Sequence, residues 1–242
     1  MTPARWAMVA LAVALVGTAA AFVLVPDDDE SPAEGSTADA ALDLVVLGDS
    51  FVEHSRDQIR AYAEGRGLTV EVMGLGGTAI CNWDDKLQAY AEQAPATMVV
   101  SFAGNDIPDS CFNPTDESRD AATVAAGYRE ELDEVVELFA AAGSTLYAVL
   151  PPPIRDAQFE ERAAAMRAMY VEAADEHPEL HLVSSATLLD PDGEGFVEAL
   201  PCAAWDTDCP PSGEVVLRQD DGIHLTPAGA ERYARAIIFA VA

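Results

Sequence analysis

Three residue types that together can activate a hydroxyl for nucleophilic attack occur far apart in this sequence. The segment Gly48-Asp49-Ser50 offers a hydroxyl, and Asp221-Gly222-Ile223-His224 offers a carboxylate and an imidazole three residues apart. Histidine is the side chain best suited to take a proton from serine near neutral pH. The carboxylate of Asp221 could bond the second ring nitrogen and fix the tautomer. The pattern favours Ser50 as a nucleophile, with a helix-capping serine as the alternative.

The other histidines are weaker candidates for the base. His54 lies one helical turn beyond Ser50 and could approach the site, but no acidic residue is obviously placed to orient it. His177 and His181 flank a proline turn and are expected at the surface. We therefore expect His224 to be the base.

Two further segments could donate hydrogen bonds to an oxyanion that develops on the attacked carbonyl. The turn Gly74-Leu75-Gly76-Gly77-Thr78 has glycines that permit tight turns, so its N–H groups could point at that atom. The side-chain amide of Asn105, in Ala103-Gly104-Asn105-Asp106, could donate to the same oxygen. In both segments an ordinary turn is the alternative.

Hydrophobic patterning places the Ser50 segment, the glycine turn and the Asn105 segment directly after predicted strands. Short apolar runs predict strands, and helical spacing predicts the helices between them. The predicted strands are 42–47, 68–73, 97–102, 144–150 and 180–184, and the predicted helices are 51–66, 84–94, 117–142, 157–176 and 227–242. Alternating strands and helices indicate a parallel sheet covered on both faces. In such sheets the site lies at the carboxyl ends of the strands.

A loop-rich stretch, 189–221, precedes the candidate base. It contains Trp205 and two cysteines. We expect it to form one wall of a substrate pocket, with a surface excursion braced for stability as the alternative.

Taken together, the four segments resemble the blocks of the SGNH, or GDSL-type, hydrolase family, from about Leu44 to the last helix. The resemblance assigns catalytic roles to Ser50, His224 and Asp221, and oxyanion-hole roles to the N–H groups of Ser50 and Gly77 and to the side chain of Asn105. This chain departs from the family pattern in having Phe51 where leucine follows the nucleophile and Ala103 in place of a glycine.

The resemblance implies a flavodoxin-like three-layer α/β/α sandwich with a five-stranded parallel sheet and no metal or organic cofactor. It implies a serine esterase that hydrolyses carboxylic O-acyl or O-acetyl esters of small molecules or carbohydrates. Two alternatives stay open: an O-acyltransferase that acts on envelope carbohydrate with the same residues, and a non-catalytic envelope-anchored binding domain. We expect a monomer.

The amino-terminal segment predicts export. Residues 6–25 form an apolar run long enough to cross a bilayer, with Arg5 before it and acidic residues after it. Residues 1–25 are therefore either a cleaved signal peptide or a retained single-pass anchor, and both place the rest outside the cytoplasm. The acidic segment 26–40 predicts a flexible linker, and 41–242 a single hydrolase domain.

Composition restricts the partners and the compartment. Thirteen basic against 42 acidic residues give a net charge of −29, which argues against a nucleic-acid partner. Half of the residues are hydrophobic, which argues against disorder. Four cysteines fit an oxidising compartment and allow three pairings, of which we favour Cys81–Cys111 and Cys202–Cys209. A metal site is a weaker interpretation, because no CxxC and no nearby histidine supply tetrahedral ligands.

Overall fold

The computed structural model describes residues 41–105, 120–206 and 208–242, which are built around a parallel sheet. The strands are β1 (Leu44–Gly48), β2 (Val70–Gly74), β3 (Thr97–Ser101), β4 (Thr145–Leu150) and β5 (Leu180–Ser184). Their order in the sheet is β2-β1-β3-β4-β5. The helices are α1 (Ser50–Glu64), α2 (Asp84–Gln93), α3 (Ala121–Ala142), α4 (Ala157–Glu176), α5 (Ala186–Leu189) and α6 (Pro227–Val241), and a short 3₁₀ helix spans Ile80–Trp83.

The helices cover both faces of the sheet because each strand is apolar on both sides. Successive side chains of a strand point to opposite faces. In β1, Val45 and Leu47 pack with α2, α3 and α4, whereas Leu44 and Val46 pack with α1 and α6. This arrangement confirms the predicted three-layer α/β/α sandwich with a five-stranded parallel sheet.

The register brings the ends of three neighbouring strands, β2, β1 and β3, to one level. Gly48, the last residue of β1, pairs with Gly74 at the end of β2 and with Ser101 at the end of β3. The chain segments that follow these strands therefore start side by side at one edge of the sheet.

The predicted elements match the observed ones to within a few residues at their ends. The helix predicted at 117–142 is described from Ala121, with the Asp120 side chain capping it by accepting a hydrogen bond from the Thr123 N–H. Within the stretch predicted as loop-rich, the structure also contains a small antiparallel sheet of β6 (Ala199–Pro201) and β7 (Glu214–Val216). Strands of three residues are too short to leave a periodic pattern in the sequence.

Cys202 and Cys209 form a disulfide with a Cα–Cα distance of 5.9 Å. Cys81 is also disulfide-bonded. Its predicted partner Cys111 lies outside the described residues, so that pairing stays a prediction. The predicted export segment and linker, residues 1–40, lie outside them as well. Across the described ranges, no helix is long and apolar enough to cross a membrane.

Candidate active site

The candidate nucleophile lies where β1 turns into α1. Ser50 is the first residue of α1, and Asp49 caps the helix by accepting a hydrogen bond from the Phe51 N–H. The turn is tight: a β-carbon on Gly48 would lie against the carbonyl oxygen of Ser101 and the side chain of Val52, so only glycine fits. Ser50 is partly exposed at the helix amino terminus, where N–H groups lack partners within the helix.

A buried carboxylate ties this turn to the loop after β3. Asp49 is 1% exposed. One of its oxygens accepts from the Phe51 N–H at 3.0 Å, and the other accepts from the Ala103 N–H at 2.8 Å and from Asn105 Nδ2 at 3.2 Å. Asp49 therefore fixes Asn105 relative to the nucleophile.

Burial also changes the acidity of this carboxyl group. It raises the pKa of Asp49 from 3.8 to about 6, although the hydrogen bonds from Ala103 and Phe51 and the charge of His224 act in the opposite direction.

The amide of Asn105 joins the loops after β2 and β3. Its Nδ2 atom donates to Asp49 Oδ2 and, at 3.1 Å, to the carbonyl oxygen of Thr78. Both N–H bonds of this amide are thus engaged with the protein. Donation to an oxyanion would require Asn105 to exchange the Thr78 carbonyl for the substrate oxygen.

The turn after β2 lies against the nucleophile. A β-carbon built on Gly76 would lie 3.6 Å from the Cβ of Ser50, and the Gly76 N–H donates to Glu53 Oε2 at 2.7 Å. Gly77 has a φ of +76°, and open space surrounds it. Within the described part of the chain, the N–H groups of Ser50 and Gly77 donate to no protein acceptor. Two donors are therefore unused beside the serine.

The candidate base and its carboxylate form a compact turn before α6. His224 Nδ1 lies 2.6 Å from Asp221 Oδ2. The other oxygen of Asp221 accepts from the N–H groups of Ile223 at 2.8 Å and His224 at 2.9 Å. Burial alone would raise the pKa of Asp221, but these hydrogen bonds and the charge of His224 outweigh it and lower the pKa to about 2. Asp221 is thus ionised at neutral pH and holds the His224 ring by one nitrogen.

A buried arginine that the sequence analysis did not single out supports this turn. Arg218 donates to the carbonyl oxygens of Pro153 at 3.1 Å and Ile223 at 3.5 Å. Burial lowers its pKa from 12.5 to about 10. Arg218 and Leu225 also form an isolated antiparallel bridge around the turn. An arginine among exposed acidic residues carries no sequence signal for such a role.

His54 reaches the site as a neighbour of the candidate base. The rings of His54 and His224 are stacked, with centroids 4.9 Å apart and planes inclined by 15°. The other two histidines lie elsewhere, as expected: His181 is exposed on β5, and His177 pairs with Asp133 at 3.1 Å.

The structure therefore brings together His224 with Asp221, His54 with His224, and Asn105 with Asp49. It also places the glycine turn against Ser50. No hydrogen bond joins Ser50 to His224 in the part of the chain that the structure describes. That contact stays a prediction, and catalytic hydrogen bonds are often long before substrate binds. The described residues contain no group of three or more His, Cys, Asp or Glu arranged to hold a metal ion.

Comparison with solved structures identifies the fold. An alpha/beta hydrolase from the metagenome of Lake Arreo, Spain, is 18% identical, with a TM-score of 0.59 over 84% of this chain and 95% of that chain. A GDSL-like lipase from Bacteroides thetaiotaomicron is 14% identical, with a TM-score of 0.53 over 82% of this chain and 86% of that one. A mutant of an acetyl-xylooligosaccharide esterase from Geobacillus is 14% identical, with a TM-score of 0.56 over 82% and 93%.

Comparison of the sequence with families and with curated proteins gives one match. Residues 43–240 match the model of a family described as proteins of unknown function, DUF459. No curated protein matches the sequence. The chain has the fold of the SGNH/GDSL-type hydrolases and belongs to the DUF459 family.

Proposed function

We propose that this protein is an exported serine esterase that hydrolyses carboxylic O-acyl or O-acetyl esters. The observation that carries the proposal is the 2.6 Å contact between Asp221 and His224 Nδ1. It leaves Nε2 as the basic nitrogen of a neutral imidazole, as a serine nucleophile requires. Ser50 begins α1, and one turn later the same helix carries His54, whose ring is stacked on that of His224.

In this proposal the reaction has two halves. Ser50 Oγ forms a bond to the ester carbonyl carbon while His224 Nε2 takes the hydroxyl proton. The tetrahedral intermediate then breaks its bond to the alcohol oxygen, and His224 returns the proton to that oxygen. Water attacks the resulting acyl-enzyme in the same way, releasing the carboxylic acid and restoring Ser50.

The two unused N–H groups suit the charge that develops on the carbonyl oxygen. The Ser50 N–H lies at the positive end of α1, and the Gly77 N–H lies in a turn that contacts Ser50 through Gly76. We propose that Asn105 supplies the third donor by releasing Thr78. Such donors are effective because their positions are fixed before the reaction, and losing one typically costs about 10²–10³ in rate.

The exposure of the catalytic turn supports hydrolysis over transfer to another alcohol. The side chains of His224 and Asp221 are 35% and 41% exposed, so water reaches the base directly. Among the structural neighbours, one is described as a GDSL-like lipase and another as an acetyl-xylooligosaccharide esterase. Both descriptions fit an ester substrate, and we extend that chemistry to this chain as part of the proposal.

We propose that the mature domain, residues 41–242, works outside the cytoplasm. The Cys202–Cys209 disulfide supports an oxidising compartment. Residues 1–25 would act as a signal peptide or an anchor, and 26–40 as a linker. Amino-terminal sequencing of the mature protein distinguishes the cleaved form from the anchored one.

The proposal is tested by replacing the nucleophile. Ser50→Ala should lower kcat on 4-nitrophenyl acetate by about 10⁴-fold or more, because members of a triad act as a unit. It should also abolish labelling of the folded protein by a fluorophosphonate probe. Ser184→Ala is the matched control, since Ser184 is an exposed serine at the end of β5. Parental turnover in Ser50→Ala would refute the assignment, and absence of labelling in the parental protein would favour a binding domain.

A further inference from the structure

The stacked pair of histidines is not explained by a catalytic triad. His54 and His224 are 170 positions apart in the sequence, yet their rings lie nearly parallel with centroids 4.9 Å apart. His54 sits on α1 one turn after Ser50, and residues four apart lie on the same face of a helix. The helix that presents the nucleophile therefore also presents a flat ring against the base.

A hydrogen bond at Nδ1 fixes the His54 ring to the segment that carries His224, by donation to Leu225 or acceptance from Gln219 according to the tautomer. His54 Nδ1 lies 3.2 Å from the carbonyl oxygen of Leu225, the residue after His224, and 3.1 Å from Gln219 Nε2. Gln219 in turn donates from Nε2 to the Leu225 carbonyl at 2.9 Å and from its backbone N–H to the His224 carbonyl at 2.8 Å. Gln219 and Leu225, which lie before and after His224 in the sequence, therefore both contact the His54 ring.

The His224 ring needs such support because it is held by little else. Its side chain is about one-third exposed, and its one ring hydrogen bond among the described residues goes to Asp221. A single bond at Nδ1 fixes a distance but leaves the plane of the imidazole free to tilt. The His54 ring, stacked on the face of the His224 imidazole, limits that tilting.

We infer that His54 is a positioning residue, which holds the His224 imidazole in the plane from which Nε2 can reach Ser50. The inference rests on the proposed function. His54 acts through its flat face, and its Nδ1 atom anchors it beside Leu225 and Gln219. It is therefore not a second base, and proton transfer stays with His224.

This role predicts that a flat ring is sufficient at position 54. His54→Ala should lower kcat on 4-nitrophenyl acetate by roughly 10–100-fold, since small displacements of a catalytic group cost up to about 10²-fold. KM should change little, because the ring touches the base and not the ester. His54→Phe keeps the stacked face and should retain kcat within about threefold of the parental protein. Gln58→Ala, one turn further along the same face of α1, is the control.

A measurement that needs no turnover separates this inference from the proposed function. The His54 ring should shift the NMR signals of the His224 ring protons, and His54→Ala should abolish that shift while His54→Phe keeps one. Thermal unfolding shows whether each variant folds. Parental kcat in a folded His54→Ala, or equal losses in the Ala and Phe variants, would overturn the positioning role. Loss of activity in Ser50→Ala and His224→Ala in the same experiment would show that the esterase proposal survives.

Discussion

Two aspartates of the site, Asp49 and Asp221, have the same hydrogen-bonding pattern, but their pKa values are shifted in opposite directions. Each accepts two backbone N–H groups and one side-chain nitrogen, from Asn105 in one case and His224 in the other. Yet the pKa of Asp49 is raised to about 6 and that of Asp221 is lowered to about 2. Because the partners match in number, the difference comes mainly from burial: Asp49 is 1% exposed, whereas the Asp221 side chain is 41% exposed.

The contrast separates two tasks that a carboxylate can perform at such a site. Asp221 remains an anion at every pH at which the protein would work, so it can stabilise an imidazolium on His224 as it forms. Asp49 lies behind the nucleophile and holds the chain segments around Ser50 and Asn105 together. Asp221 provides a negative charge beside His224, and Asp49 holds Ser50 and Asn105 in position.

The largest loss of kcat is expected when the exposed carboxylate, Asp221, is replaced. Asp221→Asn removes the anion while keeping the shape of the side chain, and should lower kcat by about 10⁴-fold because the histidine adopts the wrong tautomer. Steady-state kinetics on 4-nitrophenyl acetate measures it. Asp220→Asn, at the neighbouring exposed position, is the matched control and should leave kcat unchanged. A loss of less than tenfold in Asp221→Asn would mean that His224 does not depend on this carboxylate.

Replacing the buried carboxylate, Asp49, should lower kcat by a smaller factor. In Asp49→Asn one of the two acceptor oxygens becomes an NH₂ donor. Either the Phe51 N–H loses its acceptor, or the Ala103 N–H and Asn105 Nδ2 both lose theirs. We expect kcat to fall by about 10²-fold, comparable to the loss of one oxyanion donor. The variant should still react with a fluorophosphonate probe, although more slowly. Unchanged kcat would show that Asn105 does not need Asp49 for its placement.

A third expected effect is on stability, and its sign differs between the two aspartates. The folded pKa of Asp49 lies above its ordinary value, so its contribution to the free energy of unfolding is greatest below pH 3.8 and is lost as the pH rises through about 6. The change is roughly 3 kcal/mol, at about 1.4 kcal/mol per pKa unit. The folded pKa of Asp221 is depressed, so its contribution is present above pH 3.8 and is lost as the pH falls toward about 2.

Urea unfolding of the parental protein and of each variant tests these signs. The stability of the parental protein relative to Asp49→Asn should fall by roughly 3 kcal/mol from pH 3.5 to 7. Relative to Asp221→Asn it should rise between pH 2 and 4, by a smaller amount because solvent screens an exposed carboxylate. Slopes of the same sign for both variants would contradict burial as the cause of the difference between the two aspartates.

Much of the fold was predictable from the sequence because parallel strands buried on both faces leave uninterrupted apolar runs. The helix Ala157–Glu176 and the strand Leu180–Ser184 were predicted with the bounds that the structure has. The three-residue strands β6 and β7 were not predicted, because so short a segment has no measurable period. The loop between them is closed by the Cys202–Cys209 disulfide.

The candidate site was predictable to the extent that its residues directly follow strands. Asn105 and the glycine turn were singled out in this way, whereas Asp221 and His224 were singled out by their residue types and spacing. The role of Asp49 was not, because its acidity depends on burial that only the packed structure reveals. The place of His54 was only half anticipated: its position one turn after Ser50 suggested proximity, but its stacking on His224 depends on how α1 packs beside α6.

The close contact around Gly48 bears on how relatives of this chain should be compared. Of the three residues in Gly48-Asp49-Ser50, the first is dictated by lack of space and the second by a buried network. Both requirements would persist in a descendant that had lost all activity. A shared glycine and aspartate therefore indicate common architecture, and they do not by themselves indicate the proposed hydrolysis, for which the serine is required.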